Sequence, residues 1–184
     1  GSPPPLGFII AMASADSIIS PDQLGGWWLA GVRVVGPAHY GPGRYAGGTG
    51  PEEGLTNLGF ALLDEMSHLG VVLDLTHFSD QAFWEALEVY QAPVLASHNN
   101  CRALVPHQRQ FGDDQIQAIV ERDGVIGVSM DCWMRQLGWV KGASANSQVT
   151  LATVADHIDH ICQVAGSAKH AGIGSDLDGL FGRE

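Results

Sequence analysis

Two short apolar runs in this chain end on a histidine: Val71-Val72-Leu73-Asp74-Leu75-Thr76-His77 and Pro93-Val94-Leu95-Ala96-Ser97-His98. A third, Ala171-Gly172-Ile173-Gly174-Ser175-Asp176, ends on a carboxylate. Neighbouring parallel strands lie about 4.8 Å apart, so two imidazoles at adjacent strand ends can share one metal ion. Asp176 beside such an ion would stay ionised and could take a proton from an attacking water, or serve as a ligand itself. The plainer alternative is two histidines that only hydrogen-bond loop backbone.

Other residues are weaker candidates. Arg109 lies on the loop behind His98, where a guanidinium could hold a substrate carboxylate bidentately or form a surface ion pair. His39 follows another apolar run and could polarise a substrate carbonyl. Asp178 reads as a turn or supporting group, and Asp74 points away from His77 by strand parity and is read as structural. His157 and His160, three apart on a helical stripe, read as exposed or capping residues. Cys101, Cys132 and Cys162 form no C-x-x-C pair, which indicates reduced thiols rather than a zinc-thiolate site or a disulfide framework.

These positions need elements to hold them. Apolar runs at Gly7 to Met12, Val32 to Gly36, Val71 to Leu75, Pro93 to His98, Val125 to Ser129 and Ala171 to Gly174 read as buried strands. Helical patterns separate them. One starts at Ser20-Pro21 and runs to about Ala30. Another spans Asn57 to Leu69, with Leu58, Leu62, Met66 and Leu69 as its stripe and Gly70 as its stop. A third begins at Ser79, a fourth covers Asp113 to Arg122, and a fifth runs through Val154, Ile158 and Ile161 to Gly166. The stretches Tyr40 to Gly54 and Asp131 to Gln148 read as long loops.

Six strands alternating with helices fit an open doubly wound sheet or most of a β/α barrel. No Rossmann-type glycine turn is present, which favours the barrel. A closed barrel has eight strands and typically about 250 residues. The single domain expected over residues 1–184 is therefore about two strands short, lacking its first strands and its C-terminal helix.

Composition bounds the partners. The chain has 184 residues, 45% of them hydrophobic, enough for one sizeable core. Lys and Arg number 9 against 20 Asp and Glu, a formal net charge of -11, which argues against nucleic acid or an anionic membrane. No run approaches the roughly 20 apolar residues of a membrane span. A small-molecule substrate and a cytoplasmic setting are expected, and a homodimer is compatible with both.

Taken together, Leu69 to Ser79, Ala92 to His98, Val154-Ala155-Asp156-His157-Ile158-Asp159-His160-Ile161 and Gly172-Ile173-Gly174-Ser175-Asp176-Leu177-Asp178-Gly179 resemble the membrane (renal) dipeptidases. Those are zinc-dependent peptidases on a metal-dependent hydrolase (β/α)8 TIM-type barrel. The resemblance runs from Gly7 through nearly the whole chain. It implies that His77 and His98 bind the second of two zincs and that Asp176 is the catalytic carboxylate. It further implies that Arg109 binds the carboxylate of a dipeptide substrate, and that His39 contacts the scissile carbonyl.

Two departures accompany the resemblance. The family's first strand carries a His-x-Asp pair that has no counterpart in these residues. Its third strand ends in Glu-Gly, the Glu bridging both zincs, where this chain reads Ile10-Ala11-Met12-Ala13-Ser14-Ala15-Asp16. Ala13 takes the bridging position, and Asp16 could substitute only if its loop bends back. The leading expectation is a zinc-dependent dipeptidase-like hydrolase. The alternatives are a noncatalytic or single-metal relative, and a mononuclear amidohydrolase acting on another C–N bond.

Overall fold

A computed structural model describes residues 4–145, 147, 149–177 and 179. The described residues contain six strands: β1 (Ile10–Met12), β2 (Val32–Val35), β3 (Val72–Asp74), β4 (Val94–Leu95), β5 (Ile126–Val128) and β6 (Ala171–Ile173). β1 to β4 pair in sequence order, β5 pairs β6, and every pairing is parallel. The two sheets join at Ala96, whose N–H donates to Val125 O at 2.9 Å and whose carbonyl accepts from Gly127 N at 2.8 Å. Parallel strands in strict sequence order have no switch point, which separates a barrel-type arc from a doubly wound sheet. An apolar hollow of about 280 Å³, with Ala11, Val34, Leu95 and Ile173 in its wall, lies along the strands.

Helices α1 (Leu24–Leu29), α2 (Asn57–Leu69), α3 (Asp80–Val89), α4 (Asp113–Glu121), α5 (Cys132–Arg135) and α6 (Leu151–Ala165) connect and cover the strands. Their ends follow local chemistry. Thr56, Ser79 and Thr150 each accept a backbone N–H inside the first turn of α2, α3 and α6, and Gly70 and Gly166 close α2 and α6 in the left-handed conformation. Ser20 makes no such bond; a 3-10 turn over Pro21–Gln23 leads into α1 instead. The short α5 falls inside the stretch expected to be loop, because four residues carry no readable helical period. Leu62, Met66, Leu73, Leu75, Phe83, Ile116 and Ile119 form the buried core between sheet and helices.

β4, β5 and β6 approach closely where the site begins. A Cβ on Gly127 or Gly174 would stand 2.3 or 2.0 Å from the carbonyl oxygen of Ser97, so both positions admit only glycine. Ser97 directly precedes His98, and this contact helps to fix where that histidine emerges.

Candidate active site

Because the strands are parallel, the residues that follow them gather at one end of the sheet. His39, His77, His98, Asp131 and Asp176 follow β2 to β6 in turn, and all five line one cavity of about 520 Å³. Arg109, Tyr40, Ala13, Met134 and Lys141 complete most of its wall. His77 and Asp176 have φ of 71° and 53°, left-handed backbone that non-glycine residues seldom adopt. Such turns persist where the surroundings over-determine them, and they aim both side chains into the cavity.

His77 is buried and His98 half-buried, and their rings meet with Nε2 atoms 3.2 Å apart. Each Nδ1 is held by a hydroxyl, that of His77 by Thr49 Oγ1 at 3.1 Å and that of His98 by Ser97 Oγ at 2.8 Å. Burial lowers the pKa of His77 well below the imidazole range, helped by the Arg109 guanidinium and the neighbouring His98 and His39. Burial also lowers that of His98, with Arg109 acting in the same direction and Asp176 and Asp74 opposing it. Both rings are therefore neutral near pH 7, the form in which imidazole binds a metal.

Two nitrogens held about 2.0–2.1 Å from a tetrahedral zinc stand roughly 3.3 Å from each other. The His77–His98 spacing of 3.2 Å matches that of a ligand pair on one ion. Asp176 Oδ2 lies 3.9 Å from His98 Nε2, near enough to act beside that ion. Among the described residues the rest of a two-metal donor set does not appear. Ala13 reaches the cavity and offers no donor atom. Asp16 is exposed, its carboxylate accepts from Ser14 Oγ while its backbone N–H donates to the same hydroxyl, and it is absent from the cavity wall, so its loop does not bend back. Among the described residues no group of three or more His, Cys, Asp or Glu side chains surrounds a common point. Asp178 lies outside the described residues.

Arg109 is buried rather than part of a surface ion pair. Its Nη1 donates to Asn99 Oδ1, and its Nη2 donates to the His98 carbonyl at 2.8 Å and approaches His77 Nε2 at 3.4 Å. The open two-pronged fork that the sequence suggests is thus largely engaged by the protein. Nε is buried without a hydrogen-bond partner among the described residues. Burial pushes the guanidinium down to about 10, with Tyr40, Asp74 and Asp176 opposing, so it keeps its charge at neutral pH. His39 is exposed at the mouth, its ring centroid 4.3 Å from that of His77 and 5.3 Å from that of Tyr40.

Asp74 is structural, as strand parity indicates: Oδ1 accepts from the N–H groups of Thr76 and Ser97, both at 3.0 Å. His157 departs from its expected exposure. It is fully buried on α6 and accepts the Cys101 N–H at Nδ1, tying α6 to the loop that carries Arg109. His160 pairs with Asp113 at 2.7 Å instead of facing the site. Asp131, Tyr40 and Thr49 are site residues that the sequence reading passed over. Asp131 follows β5 just as Asp176 follows β6, a signal that was available, whereas Thr49 sits in a glycine-rich loop whose path no local pattern reveals.

The model of the membrane dipeptidase family, peptidase family M19, matches residues 5–182. The chain belongs to this family. Dipeptidase aclJ of Aspergillus oryzae is 36% identical over 154 residues, covering 82% of this chain and 35% of that protein. An uncharacterized protein of Klebsiella pneumoniae is 32% identical over 169 residues, covering 86% of this chain and 59% of that one. Among solved structures, a metallo peptidase from Rhodobacter sphaeroides, liganded with a phosphinate mimic of the dipeptide L-Ala-D-Ala, superposes with a TM-score of 0.83 at 29% identity. That match covers 93% of this chain and 50% of the other. A second solved structure, the dipeptidase AC, a metallo peptidase of family M19, gives a TM-score of 0.81 with the same identity and coverage. The β/α-barrel-type fold expected from sequence agrees with these likenesses. The chain spans about half the length of these solved relatives.

Proposed function

We propose that the cavity is a zinc-dependent dipeptide-hydrolysing site, with His77 and His98 as ligands of one zinc. The observation that carries this reading is the pair of neutral imidazoles at ligand spacing, set between a buried cation and a carboxylate. When bound, zinc supplies a Lewis acid that polarises a carbonyl and lowers the pKa of water toward neutrality. Arg109 supplies a fixed positive charge to the substrate carboxylate. His39 donates to the oxygen of the carbonyl under attack, where negative charge develops. Asp176 takes a proton from the attacking water and returns it to the leaving amine.

Family membership and the dipeptide mimic held by the Rhodobacter sphaeroides neighbour support the substrate class, since a phosphinate imitates the tetrahedral product of water adding to a peptide bond. The test is turnover of L-Ala-D-Ala and of L-dipeptides by the purified protein supplied with zinc. Hydrolysis abolished by a chelator and restored by zinc is expected; absence of both zinc binding and turnover would refute the proposal. A second reading, a noncatalytic or single-metal relative, is favoured by Ala13 alone. Two zincs per chain by elemental analysis would contradict it, and hydrolysis that depends on zinc would exclude its noncatalytic form.

A further inference from the structure

We propose that Asp74 and Ser97 form a relay that decides which nitrogen of His98 carries its proton, and thereby keeps Nε2 open for a metal. The metal half of this inference rests on the reading of His98 as a zinc ligand; the proton half stands on hydrogen bonds alone. Asp74 is buried, with Oδ1 occupied by the N–H groups of Thr76 and Ser97 and Oδ2 facing Ser97 Oγ at 2.5 Å. A carboxylate offers only lone pairs, so the single hydrogen of Ser97 goes to Oδ2. The 2.8 Å contact between Ser97 Oγ and His98 Nδ1 then needs its hydrogen from the ring. A neutral imidazole has one N–H, so His98 holds it on Nδ1 and leaves Nε2 bare.

The opposite ring reaches the same state by another route. Arg109 Nη2, which can only donate, approaches His77 Nε2, so that nitrogen is also an acceptor. Two lone pairs facing each other at 3.2 Å repel unless a cation lies between them. The relay thus leaves the Nε2 lone pair of His98 open to a cation, beside a His77 Nε2 that Arg109 Nη2 approaches at 3.4 Å.

The substitution Asp74→Asn separates this relay from a merely structural role. The two backbone N–H groups on Oδ1 force the amide oxygen into that position, which places the NH2 against Ser97 Oγ as a donor. The Ser97 hydrogen is then free to turn toward Nδ1, and the ring proton moves to Nε2. Shape is conserved while the direction of every bond in the relay reverses.

The experiment is nitrogen NMR of the imidazoles at neutral pH in the metal-free full chain, paired with calorimetric titration of zinc, for the parent, Asp74→Asn, Ser97→Ala and Ser97→Thr. Melting curves verify that each variant is folded. The parent is expected to show His98 protonated at Nδ1, and Asp74→Asn to show it at Nε2 with zinc affinity lowered about 10- to 100-fold. Ser97→Ala is expected to mix the tautomers, and Ser97→Thr to restore both readouts. A parent ring protonated at Nε2, or a tautomer unmoved by Asp74→Asn, would overturn the relay. A tautomer that reverses while zinc binding stays unchanged would uphold the relay and refute His98 as a zinc ligand.

Discussion

At the scale of single residues, the site depends on keeping two imidazoles uncharged and a carboxylate beside them. Asp176→Asn removes the proposed proton acceptor but leaves His77 and His98 in place. Turnover is expected to fall about 10²- to 10⁴-fold with bound zinc retained, measured by initial rates alongside metal content. The histidines also couple stability to pH. Burial lowers the folded-state pKa of His77, His98 and His157 below the ordinary value of 6.5, so the unfolded chain binds more protons in acid. Their contribution is fully present above about pH 6.5 and is lost as pH falls below it. Chemical denaturation between pH 7.5 and 5 is expected to show this decline in the metal-free protein, and His77→Asn to make it shallower. His77, His98, Asp176, Arg109 and His39 were legible as a group because each follows an apolar run or a proposed ligand strand. The engaged guanidinium of Arg109 and the burial of His157 were not, since both depend on how the loop after His98 folds onto α5 and α6.

At the scale of elements, helix limits were legible wherever a cap and a period agree, as in α2 between Thr56 and Gly70. Strand limits were less so, because apolar runs continue past the paired residues into the turns that present the histidines. The close approach of β4, β5 and β6 at Ser97 was invisible locally: nothing near Gly127 or Gly174 announces a carbonyl from a segment many residues away. Gly174→Ala places a methyl group into that carbonyl, whose strand has no room to yield. A loss of about 1–3 kcal/mol in unfolding free energy is expected, together with displacement of His98, read as weaker zinc binding. Unaltered denaturation and zinc binding would contradict the proposed role of this contact.

At the scale of the whole molecule, six parallel strands in sequence order bring five side chains to one end, so the order of the strands is what assembles the site. The alternation of apolar runs and helical stripes was readable and left a doubly wound sheet or a barrel, and the lack of a Rossmann-type glycine turn favoured the barrel. The metal complement was not readable in the same way. Ala13 leaves a gap where the family resemblance places a bridging ligand, while the paired histidines remain at ligand spacing. The central claim, that His77 and His98 jointly hold one zinc in this cavity, is tested most directly by zinc titration of the purified chain against His77→Ala and His98→Ala. Saturable binding in the parent that is lost in both variants is predicted. Binding that survives either substitution, or its absence from the parent, would contradict the account.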